Sequence, residues 1–327
     1  MNSELRQDLV SGDWVVIAPS RAQRPHGFFA RAKKRRRAGK RGCPFEDVKR
    51  SGHSVIFIVS QGKKWELAFV SNKYPVFRHK NICALIGRHG PYAVTEGVGH
   101  HEILITRDHD KNFVHLSDRG RQRVFEALRD RALMLRADPC IAYVSLFHNW
   151  GPSAGASLYH PHYQLLAVPV VPPDVEHSLA GASRYYRRTG RCVHCAMIAF
   201  ERKERKRVLY ENDGAIAFAP YVSRAAFEVR VFPTQHLAHF ENSPDLAMDA
   251  VADALHKTLS SFERALGDPD YNFFIHTAPI KRGRDHGYYH WHIEAIPKAA
   301  VRAGFELGTG IEINAVDPNA AAKILRK

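Results

Sequence analysis

The sequence is short of cysteine, of long apolar runs and of acid. Five cysteines occur in 327 residues, too few and too scattered for the disulfide framework of a small secreted domain. They read as metal ligands or free thiols. No apolar run reaches the roughly 20 residues that a membrane-spanning helix needs, and the opening Met1-Asn2-Ser3-Glu4-Leu5-Arg6 does not read as a signal peptide. A soluble, cytoplasmic protein is expected. Acidic residues number 33 against 48 lysines and arginines, a formal charge of +15. That surplus draws nucleic acid, and equally phosphorylated sugars and nucleotides. Much of it sits in one run, Arg31 to Arg41, which reads as a solvated, mobile loop, so nucleic acid is not the expected partner.

Apolar and charged fractions of 45% and 25% are ordinary for a globular protein, and the length allows about two domains. The chemistry concentrates between Phe147 and Pro169. An apolar strand (Ile141 to Phe147) breaks into a loop bearing Gly151, Ser153, Gly155 and Ser157, then re-enters a strand through His160-Pro161-His162. A strand alternates its side chains, so His160, His162 and Gln164 share a face. Glycines permit close backbone approach, and hydroxyls with free N–H groups can surround phosphate oxygens. A His-X-His pair alone is more often a metal pair or a surface pattern than a nucleophile. Beside a phosphate-sized loop and an amide, it points to nucleotidyl transfer by a histidine nucleophile.

The run Asn149-Trp-Gly-Pro-Ser-Ala-Gly-Ala-Ser-Leu-Tyr-His160-Pro-His162-Tyr-Gln164 resembles the active-site signature of the galactose-1-phosphate uridylyltransferase family, a branch of the histidine-triad nucleotide-binding proteins. The resemblance implies that His162 is the nucleophile. Gln164 would bind a phosphoryl oxygen, Ser157 with the loop amides would hold developing charge, and Asn149 and Gly155 would contact substrate. Ser20-Arg21-Ala22-Gln23-Arg24, delivered by a hairpin turning at Ser11-Gly12-Asp13, is similar to the family's early phosphate-holding arginines, Arg21 and Arg24. Asn72-Lys73-Tyr74-Pro75 looks like its nucleoside-contacting segment. Where many relatives have Cys-Pro-Phe-Cys, this chain has Cys43-Pro44-Phe45-Glu46. The resemblance places two further ligands at His109 and His160, so a Cys43/Glu46/His109/His160 zinc site is either retained or lost. Retention is the expectation, because a carboxylate can ligate zinc.

The order of elements then recurs. Cys192-Val-His-Cys195 takes the place of Cys43 to Glu46, the strand Phe227 to His236 mirrors the one ending at His109, and His290-Trp-His292-Ile-Glu294 corresponds to His160-Pro-His162-Tyr-Gln164. A helix capped by Ser243, with Pro244 first, is expected to run to about Leu266. The chain therefore reads as 1–169 carrying the nucleophile, a 170–191 linker, and 192–327 with a zinc site. The implied fold is α+β: tandem histidine-triad-like units joined in one antiparallel sheet with helices packed on it. Cys192, Cys195, His236 and His290 would make a tetrahedral Zn²⁺ site, with His239 competing for the third position. Some relatives build a metal site instead from histidines matching His276, His290 and His292 with a glutamate. The second His-X-His lacks the Gly-Ser loop, having Lys281 to Gly287 instead, and reads as structural or metal-binding.

The resemblance implies a homodimer acting on a nucleotide sugar with a hexose 1-phosphate or phosphate. The first reading is UDP-glucose:galactose-1-phosphate transfer through a uridylyl-histidine. The other is adenylyl transfer of the ADP-glucose phosphorylase type. Gly304-Phe-Glu-Leu-Gly-Thr-Gly-Ile-Glu312-Ile-Asn314 resembles the latter, with Glu312 standing for the sugar-contacting glutamine of the uridylyltransferases. A nucleic-acid-binding protein with a vestigial site is the reading from another class.

Overall fold

The computed structural model describes residues 2–23, 37–62, 64–280 and 286–327. Arg24, Arg31 to Arg36 of the basic run, and Lys281 to Asp285 lie outside the described residues. The chain opens with the expected hairpin, β1 (Glu4–Gln7) and β2 (Trp14–Ile17). Asp8 Oδ1 closes its turn by accepting the N–H groups of Val10 and Ser11. The first half continues through β3 (Val55–Gln61), β4 (Lys64–Ser71), the short hairpin β5 (Gly87–His89) and β6 (Tyr92–Val94), and β7 (His100–Thr106). It ends with α1 (Asp118–Leu135), β8 (Tyr143–Trp150) and β9 (His162–Val168). Ser117 Oγ caps α1 by accepting the Gly120 N–H, satisfying one of the helix's four orphan donors.

The segment expected as a linker holds a 17-residue helix, α2 (Pro173–Thr189), followed by α3 (Val193–Glu204). Pro173 at the first position favours the helical start, and Val175, Leu179 and Ala182 bury one stripe. The second half follows as β10 (Val208–Glu211), β11 (Ala215–Phe218), β12 (Val229–Pro233), α4 (Asp245–Leu266), β13 (Tyr271–His276) and β14 (His292–Pro297). The start of α4 corrects the expected cap. Pro244 occupies the cap position and Ser243 ends the preceding 3-10 turn, because the chain turns one residue later. The chain closes with α5 (Gly304–Thr309), β15 (Glu312–Asn314) and α6 (Pro318–Leu325).

Ten strands form one antiparallel sheet in the order β10-β11-β12-β14-β13-β8-β9-β7-β4-β3. The order is symmetric about the β13–β8 pair, so the duplicated sequence becomes a duplicated half-sheet. The architecture is α+β. Period-two alternation decides the faces. Tyr163, Leu165 and Ala167 of β9 share the main core with Phe125 and Leu128 of α1 and Val251 and Leu255 of α4. His162 and Gln164 therefore face the other side. Ile293 and Ala295 of β14 enter the same core, which turns His292 and Glu294 to the site side.

Five cysteines were expected to be thiols or ligands; Cys83 and Cys140 are instead joined in a disulfide across 57 residues of sequence. Among the described residues no helix is long and apolar enough to cross a membrane.

Candidate active site

His162 opens β9 and is buried, 6% exposed. Its Nδ1–H donates to the His160 carbonyl at 2.9 Å, which leaves Nε2 as the basic nitrogen. Burial pushes its pKa down, against the opposing hydrogen bond to His160, so the ring is held neutral, the nucleophilic form. Phe45 stands edge-on to both His162 and His160, at centroid distances of 5.3 and 5.7 Å.

Gln164 lies two residues on. Its Oε1 is 3.1 Å from His101 Nε2. The tautomer follows from the other side of the ring: His101 Nδ1 accepts the Val76 N–H, so Nε2 carries the proton and donates to Gln164. With its oxygen engaged, Gln164 keeps its NH₂ group for an external acceptor. Asn72, the sequence-predicted nucleoside contact, is tied to His101 through the backbone: its N–H donates to the His101 carbonyl, and its Oδ1 accepts the Tyr74 N–H. The sequence pattern does not single out His101 for this bridge. In the sheet His101 stands opposite Leu166, two residues along β7 from Ile103, the partner of Gln164.

The Gly-Ser loop is built differently from the expected cradle of free donors. The N–H groups of Ala154 and Ala156 donate to Gly151 O, that of Gly155 to Pro152 O, and that of Ser153 to Asp270 Oδ2. Those four amides are therefore spent on shaping the loop. Gly151 is required at φ +86°, and a Cβ there would stand 1.9 Å from Asp270 Oδ1. The second half completes the brace, since Asn272 Nδ2 donates to both Asn149 Oδ1 and Ala154 O. Asn149 is thus committed to holding the loop, while Gly155 and Ser157 stay exposed.

Cys43, His109 and His160 bring their donor atoms within 4.8 Å of one another. His109 Nε2–H donates to Ala38 O at 3.0 Å and His160 Nε2–H to Thr106 O at 2.7 Å. Both rings therefore present a bare Nδ1 to the centre, the usual outer support of a metal-ligating histidine. Glu46 Oε1 reaches within 2.9 Å of His109 Nδ1 and 3.6 Å of His160 Nδ1, yet both Glu46 Oε1 and His109 Nδ1 are buried without a hydrogen-bond partner among the described residues. Orphaned buried donors of this kind fit a cation.

In the second half Cys192, Cys195, His236 and His290 also converge within 4.8 Å. His236 Nδ1 lies 3.2 Å and His290 Nδ1 3.5 Å from Cys195 Sγ, and His236 Nε2–H donates to Gly287 O. A hydrogen bond from Cys195, with support from neighbouring histidines, drives the Cys192 thiol far below its ordinary range. His239 instead lies 3.3 Å from Glu241. His292 repeats the posture of His162, with Nδ1–H on the His290 carbonyl at 3.1 Å. At the position of Gln164, however, stands Glu294. Burial opposes its ionisation, but Arg230, 2.9 Å away, outweighs it and holds the carboxylate charged. Glu294 also lines a cavity of about 320 Å³ with His276, His292 and Glu312. An ionised carboxylate there repels a phosphate and already has a guanidinium for its cation.

Arg21 lies in the middle of the 3-10 turn Pro19–Gln23 after β2. β2 pairs in parallel with β15, the strand that carries Glu312, in a small three-stranded sheet with β1. Glu312 is paired with Arg302 at 2.6 Å in the second-half cavity, and among the described residues no contact takes it to His162.

A family model described as Domain of unknown function (DUF4921) matches residues 98–326. An ADP-glucose phosphorylase from Arabidopsis thaliana is 30% identical over 329 residues, covering 99% of this chain and 92% of that protein. The chain belongs to the galactose-1-phosphate uridylyltransferase family. A second member, a galactose-1-phosphate uridylyltransferase from Thermotoga maritima, is 24% identical over 332 residues, covering 99% of this chain and 98% of its own. The crystal structure of the Arabidopsis thaliana ADP-glucose phosphorylase with bound ADP-glucose aligns at a TM-score of 0.84 and 29% identity over 99% of each chain. A uridylyltransferase structure aligns at 0.76 and 25%, covering 99% of this chain and 97% of its own. The family likeness spans both halves of the sheet.

Proposed function

We propose that the chain is a nucleotidyltransferase that cleaves an ADP-sugar through a covalent adenylyl-His162. The observation that supports the chemistry is the pairing of a buried, neutral His162, its Nδ1 locked on a carbonyl, with a Gln164 whose amide is aimed by His101. His162 Nε2 attacks the α-phosphorus and the bond from that phosphorus to the bridging oxygen breaks. Hexose 1-phosphate leaves with the electron pair. The ring then carries positive charge, partly relieved by Nδ1–H donation to the His160 carbonyl, and the second acceptor attacks the same phosphorus to free Nε2. Gln164 NH₂ stabilises charge on a non-bridging oxygen.

ADP-glucose as donor and inorganic phosphate as acceptor are supported by the full-length likeness to ADP-glucose phosphorylase. This replaces the uridylyl reading drawn from sequence motifs, which has family-level support through its relatives. Zn²⁺ suits both donor sets: Cys43/Glu46/His109/His160 and Cys192/Cys195/His236/His290. Bound in the first, it would fix His160, whose carbonyl in turn orients His162. Arg21, Arg24 and Glu312 are assigned to substrate, reached in a homodimer.

The test is donor and acceptor choice. Adduct formed from α-³²P-labelled ADP-glucose and discharged by phosphate is the expected result. Labelling from UDP-glucose alone, with discharge by a hexose 1-phosphate, would replace it with the uridylyl reading.

A further inference from the structure

A third group of ligand atoms lies apart from both sulfur-containing sets. His79, His100 and Asp138 come from three separate segments and bring one donor each to within 4.8 Å of the others. Asp138 Oδ2 is 3.1 Å from His100 Nε2 and 3.8 Å from His79 Nδ1. These separations bracket the edge of about 3.4 Å that a tetrahedron with metal–ligand bonds of about 2.1 Å requires.

The donors are held in place by other contacts. Asp138 Oδ1 is already engaged, accepting the Cys140 N–H at 2.9 Å, so only Oδ2 faces the imidazoles. On the far side of the His100 ring, Nδ1 lies 3.5 Å from Glu102 Oε1. Arg131 grips both oxygens of that buried carboxylate, at 2.7 and 2.5 Å. A ligating histidine whose second nitrogen meets an anchored carboxylate is the usual support of a metal ligand. His79 is placed by backbone: the neighbouring Arg78 bridges Val98, donates to Gly97 O and accepts from Gly99 N–H. The Cys83–Cys140 disulfide then ties the His79 segment to the turn that carries Asp138.

We propose that His79, His100 and Asp138 form a third metal site, binding a borderline divalent cation of the zinc, nickel or cobalt type. Two imidazoles and one carboxylate suit these ions, and three protein donors leave an open position. The side chain of His79 is 52% exposed, so the site is reached from solvent. The ion clamps the excursion that follows Asn72 against the start of β7.

Co²⁺ is the probe. Wild-type protein and His79→Ala, dialysed identically against a weak chelator, are titrated by calorimetry and visible absorption. Wild type is expected to bind one more equivalent than the variant, and that equivalent adds no thiolate-to-cobalt charge-transfer band. Glu102→Gln is expected to weaken it by about 10- to 100-fold. Equal stoichiometry in wild type and His79→Ala overturns the proposal, as does a lost equivalent that carries the thiolate band.

Discussion

His101 Nε2 donates to Gln164 Oε1 across 3.1 Å, and Nδ1 of the same ring accepts the Val76 N–H at 3.2 Å. One side chain thus aims the amide beside the nucleophile and anchors the segment after β4. Replacing His101 with Ala leaves Gln164 free to turn. Adduct formation is expected to slow by roughly tenfold, the cost of about one such hydrogen bond in the transition state. In a double-mutant cycle the effect should be largely absent when Gln164 is already Ala. Additive losses would show that the two residues act separately.

Gly151→Ala tests the loop brace. The new methyl would stand 1.9 Å from Asp270 Oδ1 at a φ of +86°. Destabilisation of more than about 1 kcal/mol is expected in urea unfolding, together with slower labelling. A variant as stable and as active as the parent would show that Asp270 does not hold the loop.

Metal content separates the two sulfur-containing sites. Cys192→Ser with Cys195→Ser should lose the second-half zinc while the first remains. Glu46→Cys should tighten the first site by roughly tenfold, because thiolate is the softer ligand. Unchanged affinity would show that Glu46 is no ligand.

Removing the cross-link by Cys83→Ser should lower stability by about 2–4 kcal/mol, mainly by freeing the unfolded chain. Chemical denaturation of the wild type with and without reductant gives the same comparison. No difference under reductant would show that the bond does not persist.

The nucleophile's surroundings were legible because they are local. His160, His162 and Gln164 lie within one strand entrance, where period-two alternation sets which of them face together. Cys192 and Cys195 are likewise close in sequence, and the repeat pointed to His236 and His290 as their partners. What the sequence hid was non-local. Asp270 and Asn272 brace a loop more than a hundred residues earlier, and nothing in their own neighbourhood announces it. Cys83 and Cys140 carry no spacing signal across 57 residues. The helix α2 was legible in principle, since Val175, Leu179 and Ala182 keep helical spacing. Its flanking prolines and basic tail made a linker the easier reading. At Ser243 the backbone and not the hydroxyl closes the 3-10 turn before α4: its N–H donates to Phe240 O, while Oγ is buried without a partner among the described residues.

The central claim is that His162, and not its repeat His292, takes the nucleotidyl group. Both donate Nδ1–H to the carbonyl two residues back, but only His162 has Gln164 where the other has an ionised Glu294. Incubation with α-³²P-labelled ADP-glucose, acid-sensitivity of the adduct and peptide mapping locate the label directly. Label on His162, absent from His162→Ala and retained in folded His292→Ala, is the predicted result. Label that survives in His162→Ala, or maps to His292, would contradict the account.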